Sequence, residues 1–98
     1  MLTIELSRWG ATLFGRQHGA AVRQELLDLI AEQPEVVLDF SRVSRMSLSF
    51  ADECFGLLVE ELASRDAPPH VRFSGATRDA RAALHFALRQ RNEERLSA

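Results

Sequence analysis

Lysine is missing from the chain, and all 12 basic residues are arginine. No side chain can therefore form a lysine Schiff base or supply the lysine of a phosphate-binding loop; the bias reads as genomic composition. Cysteine occurs once, at Cys54, so no internal disulfide can form, which fits a reducing compartment. No apolar run approaches the roughly 20 residues that cross a bilayer, and the amino terminus lacks the basic and apolar segments and cleavage site of an export signal. A soluble, cytoplasmic protein without a membrane partner is expected. Also missing are a Gly-rich phosphate loop, a nucleophile elbow and a dinucleotide fingerprint. His18, His70 and His85 fall on separate predicted elements with no metal-ligand spacing, so neither zinc nor another cofactor is expected. The net charge of −2 and a pI near 5.9 leave no global positive field, which argues against a nucleic-acid partner.

What the chain does contain is an apolar content of 46% in 98 residues, enough for one compact domain and too little length for a second core. Leu2, Ile4 and Leu6 alternate with polar residues as in a half-buried strand, and Trp9-Gly10 marks a turn. Residues 11–14 are then expected to pair back on the first strand as a hairpin. Apolar spacing over 17–33 predicts a helix that ends before Pro34. Val36, Val37, Leu38 and Phe40 form a nearly continuous apolar run, which predicts a central strand covered on both faces. A well-buried helix over 50–64 follows, then a breaker at Ala67-Pro68-Pro69 and a strand over 71–74. Thr77 is expected to cap a last helix with Ala80, Ala83, Leu84, Ala87 and Leu88 inside, and the tail 91–98 to fray. The implied architecture is a single α/β domain: a mixed, mainly parallel sheet of about four strands with an N-terminal hairpin and three helices. The exposed edge of that hairpin would allow a homodimer.

The most informative stretch is Val36 to Glu53, where a buried strand ends at Asp39 and a serine-rich turn opens the next helix. In open α/β sheets, loops beyond the strand carboxyl ends are where ligands and partners are met. The residues LDFSRV (38–43) followed by SLSFADECF (47–55) resemble the STAS-like domains of bacteria, which are related to the anti-sigma factor antagonists. The likeness extends upstream through Phe14-Gly15-Arg16 and a helix with Gly19, Val22, Arg23 and Leu26, and downstream to the final strand and helix. It spans nearly the whole chain, as one STAS-like domain over 1–98. It implies a non-catalytic regulatory module that binds a protein partner, such as an anti-sigma factor or a GHKL-type ATPase or kinase, through the loop and helix after the central strand. In the better understood antagonists the turn reads roughly Asp-Ser-Ser-Gly, and a partner kinase phosphorylates the second serine. Aligning the turns puts Ser47 at the aspartate, Leu48 at the first serine, Ser49 at the phospho-acceptor and Phe50 at the glycine; only the acceptor matches.

Each residue also has a plain structural reading. Ser49, three positions before Asp52, suits an N-cap as well as a phospho-acceptor. Asp52 and Glu53 diverge by about 100° on a helix and make a poor acid/base pair. They read as first-turn acids facing the helix dipole, while the family resemblance implies contacts with Arg42, Arg45 or a partner. Asp39 is expected to bond the backbone of the following loop. Arg16 opens a helix against its dipole, so something else is expected to hold it; its resemblance to a recurring arginine of the family implies either an internal ion pair with Asp52 or Glu53 or a place in a docking surface that also includes Arg42, Arg45 and Ser47. Cys54 falls on the apolar stripe as a small core residue. The last helix shows a basic, solvated face. Two other classes stay open: a small-ligand or nucleotide sensor in which Arg42 or Arg45 meets an anion, and an enzyme with Cys54 as nucleophile.

Overall fold

The computed structural model describes residues 1–97, with side chains described for residues 1–91. Five strands and four helices follow in the order β1 (Leu2–Glu5), β2 (Thr12–Leu13), α1 (Arg16–Ile30), β3 (Glu35–Asp39), β4 (Arg45–Met46), α2 (Leu48–Ala51), α3 (Leu57–Ala63), β5 (His70–Ser74) and α4 (Arg78–Ser97). A 3₁₀ turn over Leu6–Trp9 leads out of β1. A π-helical segment over Asp52–Gly56 joins α2 to α3 without leaving helical backbone angles, so the two form one continuous run. The α/β class and three-helix layout expected from the sequence hold. The expected fraying of the tail 91–98 falls on residues whose side chains, apart from that of Arg91, lie outside the described ones.

Every ladder is parallel. The main sheet has the order β1-β3-β5, and β2 pairs with β4 in a separate two-stranded ladder. This overturns the N-terminal hairpin; β1 is still an edge strand of the main sheet. The 3₁₀ turn diverts the chain after β1, so residues 12–13 meet Arg45 and Met46 instead of turning back on β1. The short strand β4 had no signature in the sequence, because two residues carry no period.

Register aligns Leu2, Val36 and Val71 in one row and Ile4, Leu38 and Phe73 in the next. That face is buried or half-buried, and the helices pack on it. The opposite face carries Thr3, Glu5, Arg72 and Ser74, all exposed, with Val37 and Asp39 half-buried. Coverage on both faces, expected for β3, is therefore also overturned: among the described residues the helices cover one side. Val37 alone broke the alternation, and one apolar residue on the solvent side is common.

The π-helical segment sits between α1 and α4 and contacts both. Gly19 on α1 makes this possible. A Cβ there would lie 3.0 Å from the Phe50 carbonyl oxygen and 3.1 Å from Glu53 Cβ, so any larger residue would push the helices apart. Phe55, on the widened turn, meets Phe40, Phe50 and Phe73 with ring centroids 5.2 to 6.0 Å apart, which ties the segment to the carboxyl ends of β3 and β5. No described helix is long and apolar enough to cross a membrane.

Candidate functional site

The turn after β4 is fixed by one hydroxyl. Ser47 Oγ accepts the Phe50 N–H at 3.1 Å and the Gly15 N–H at 3.2 Å, and lies 3.1 Å from Ser49 Oγ. Ser47 N–H in turn donates to the Leu13 carbonyl at 3.0 Å. Ser47, and not Ser49, is thus the N-cap of the helical run. Asp52, three residues after Ser49, made Ser49 the expected cap, but the helix starts at Leu48 and Asp52 is bound to Arg16 and Arg91. Ser47→Ala is expected to lower stability by about 1–2 kcal/mol and Ser49→Ala by a few tenths, measured as a shift in urea midpoint. Equal losses would return the cap to Ser49.

Asp52 is buried, only 8% exposed, and held from two sides. Arg91 of α4 reaches it bidentately, Nε to Oδ1 at 2.9 Å and Nη2 to Oδ2 at 2.8 Å, while Arg16 Nη1 reaches Oδ2 at 2.8 Å. Glu53 pairs with Arg23 at 3.0 Å and Arg16 at 3.4 Å. Arg23 also donates to the Glu53 main-chain carbonyl, and Arg91 pairs with Glu60 at 3.3 Å. The Arg91 bonds hold the Asp52 carboxyl below its ordinary pKa of 3.8 despite the opposing effect of burial, and Arg23 does the same for Glu53. Gly56 leaves room for this arrangement, since a Cβ there would sit 3.1 Å from Arg91 Cγ and 3.2 Å from Asp52 Oδ1.

The internal ion pair expected for Arg16 is present, with both acids. Asp52 and Glu53 are not first-turn dipole partners and do not meet Arg42 or Arg45. They staple the π-helical segment to α1 and α4. Arg23 and Arg91 were missed as members of this network. For Arg23 a signal existed: Arg16, Gly19 and Arg23 share one face of α1, so two cations flank the point of closest approach. Arg91 had none, being 39 residues from Asp52.

Arg42 and Arg45 are exposed, and among the described residues their side chains make no hydrogen bond or ion pair. Beside them stand two large apolar side chains that sequence reasoning did not single out, Phe14 at 52% and Leu48 at 51% exposure. The Gly15–Ser47 bond and the pairing of Thr12 with Arg45 and Leu13 with Met46 bring residues 12–15 beside 45–48, and Arg42 stands three residues before Arg45 in the loop that leads into β4. Asp39 Oδ1 accepts the Ser41 N–H at 3.0 Å, as expected. Thr77 caps α4 through the Ala80 N–H, also as expected. Asp79 Oδ2 accepts the Met46 N–H at 3.3 Å, and Thr77 Oγ1 contacts the Ser44 carbonyl at 3.5 Å, so the start of α4 borders the same surface.

Cys54 is fully buried, and burial pushes its thiol pKa far up, which leaves it without the thiolate a nucleophile needs. His18 stacks edge-on against Phe50 at 5.3 Å. Among the described residues no group of three His, Cys, Asp or Glu is placed to hold a metal ion.

No curated protein and no solved structure matches the chain. A family model does match, over residues 18–79, a span that includes most of α1, β3, the serine turn and the whole helical run with its arginine-held acids. The chain belongs to the family described as a STAS-like domain of unknown function.

Proposed function

We propose that the domain is a non-catalytic regulatory module that binds a protein partner through the surface formed by residues 13–16, the loop 41–47 and the start of α2. The observation that carries this reading is the exposure of Phe14 and Leu48 on either side of Ser47, next to the unengaged arginines Arg42 and Arg45. Exposed large apolar residues ringed by polar ones are typical of interaction sites. The carboxylates nearest the turn are bound to arginines, and the one cysteine is buried, so the reactive groups here serve structure. The family's kinship with anti-sigma factor antagonists suggests an anti-sigma factor or a related GHKL-type ATPase or kinase as the partner. Ser49 is the residue such a kinase would modify. Its hydroxyl lies beside Ser47 Oγ, so a phosphate there would add charge at the centre of the surface.

Co-purification from the native host, followed by mass spectrometry, identifies the partner. Arg42→Glu combined with Arg45→Glu is then expected to weaken its binding by about tenfold or more, with thermal unfolding unchanged. Unchanged affinity would remove this surface from the interface. Ser49→Asp is expected to weaken the same complex, and intact-mass analysis should find a phosphorylated fraction. An unmodified Ser49 together with normal binding by Ser49→Asp would end the phospho-regulatory part.

A further inference from the structure

The net charge of −2 conceals a strong separation of charge along the strands. Of the 14 acidic residues, none lies in 6–24 or 40–51, the two segments that build the surface around Ser47, whereas these segments carry Arg8, Arg16, Arg23, Arg42 and Arg45. Because the ladders are parallel, α1, α2 and α4 all begin at the carboxyl end of the sheet and run back toward the other end. The positive ends of three helices are therefore gathered with Arg42, Arg45 and Arg78, while Arg16 is balanced by Asp52 and Glu53. The nearest acids, Asp39 and Asp79, accept the Ser41 and Met46 N–H and keep their charge, so they offset these arginines only in part. At the opposite end, where α1 and α3 finish and β3 begins, Asp28, Glu32, Glu35, Glu61 and Asp66 accumulate with Arg65 as the main offset.

Resting on the protein-interaction reading above, we infer that the partner presents an acidic segment with an apolar ridge, its Asp or Glu side chains meeting Arg42, Arg45 and Arg78 while the ridge covers Phe14 and Leu48. Among the described residues these three arginines are exposed and their side chains make no hydrogen bond or ion pair. The apolar pair between them favours a polypeptide over a polyanion. Phe14 is the exposed ring of the patch and Leu48 offers no stacking face, while the exposed Phe86 stands eight residues into α4, roughly 12 Å from its start.

The test uses the full chain and three synthetic peptides of equal length with the same Leu and Phe positions, whose polar positions are all Glu, all Gln or all Lys. A single-stranded oligonucleotide and vesicles of anionic phospholipid are run beside them. The Glu peptide should bind tightest, and its affinity should fall about tenfold between roughly 0.05 and 0.3 M salt. Arg42→Glu with Arg45→Glu should weaken it about tenfold, as should Phe14→Ala with Leu48→Ala; unchanged melting curves would show that both variants stay folded. Glu and Gln peptides binding alike, indifference to either double variant, or tighter binding of oligonucleotide or vesicles would each overturn the inference. If it falls while the co-purified partner still loses affinity for the Arg42, Arg45 variant, the interaction surface stands and only the partner's chemistry is wrong. If that affinity is also unchanged, the surface itself is wrong.

Discussion

Cys54→Asp is expected to cost about 4 kcal/mol or more, enough to unfold most of a domain whose total stability is of order 5–15 kcal/mol. Cys54 is 0% exposed on the π-helical segment, directly beneath the point where Gly19 admits the backbone of the helical run. The same burial that raises its thiol pKa would oppose ionisation of a carboxyl group placed there. Arg23, the cation that acts on this position, already holds both the carboxylate and the carbonyl of Glu53, and moving it would undo that contact. A protonated aspartic acid would avoid the charge but still lack hydrogen-bond partners in an apolar layer. Cys54→Ala should cost only about 1 kcal/mol, since it removes one sulfur atom. Guanidinium or urea unfolding of both variants, with slopes compared to confirm two-state behaviour, measures the difference. Equal and small losses would take Cys54 out of the core.

Asp52→Ala should be the next most damaging change, at about 3 kcal/mol, because it leaves the guanidinium of Arg91 without its bidentate partner in a largely buried position. Asp52 also anchors Arg16, so one substitution loosens both α1 and α4 from the helical run. The acid dependence follows from the lowered pKa of Asp52 and Glu53. In the unfolded chain each titrates near its ordinary value, and in the folded chain lower. Their contribution is complete above that ordinary value, therefore at neutral pH, and is lost as pH falls from about 4 through the folded values. Asp52→Asn keeps the shape and removes the charge, so its stability should fall less steeply on acidification than that of the wild type. Parallel acid titrations in which the unfolding free energy of the two proteins falls equally steeply would sink this account.

The resemblance was legible because it rests on local order. A strand ending in Asp39, a serine turn and an apolar helix stand consecutively in the chain, and the Asp39 and Thr77 caps follow from rules that span only a few residues. An arginine opposing a helix dipole calls for a partner, and the family resemblance is what pointed Arg16 to Asp52 or Glu53. The serine turn was harder. Ser47 and Ser49 are both plausible caps by type, and the choice depended on where the chain enters from β4, a strand of two residues that exists through its pairing with β2.

By itself, then, the sequence determined the α/β class, the placement of the long helices and the burial of Cys54, since apolar periodicity and caps act within a few turns of one element. Tertiary structure alone decided that β1 and β2 do not form a hairpin, that the helices cover one face of the sheet, and that Arg23 and Arg91 hold Glu53 and Asp52. It also decided the exposure of Phe14 and Leu48 and their gathering with Arg42 and Arg45. These outcomes depend on contacts between residues some 30 to 40 positions apart in the chain, such as Arg23 with Glu53 and Arg91 with Asp52. Parallel pairing sets which loops and helix starts share an end of the molecule, and no pattern within a single segment records it.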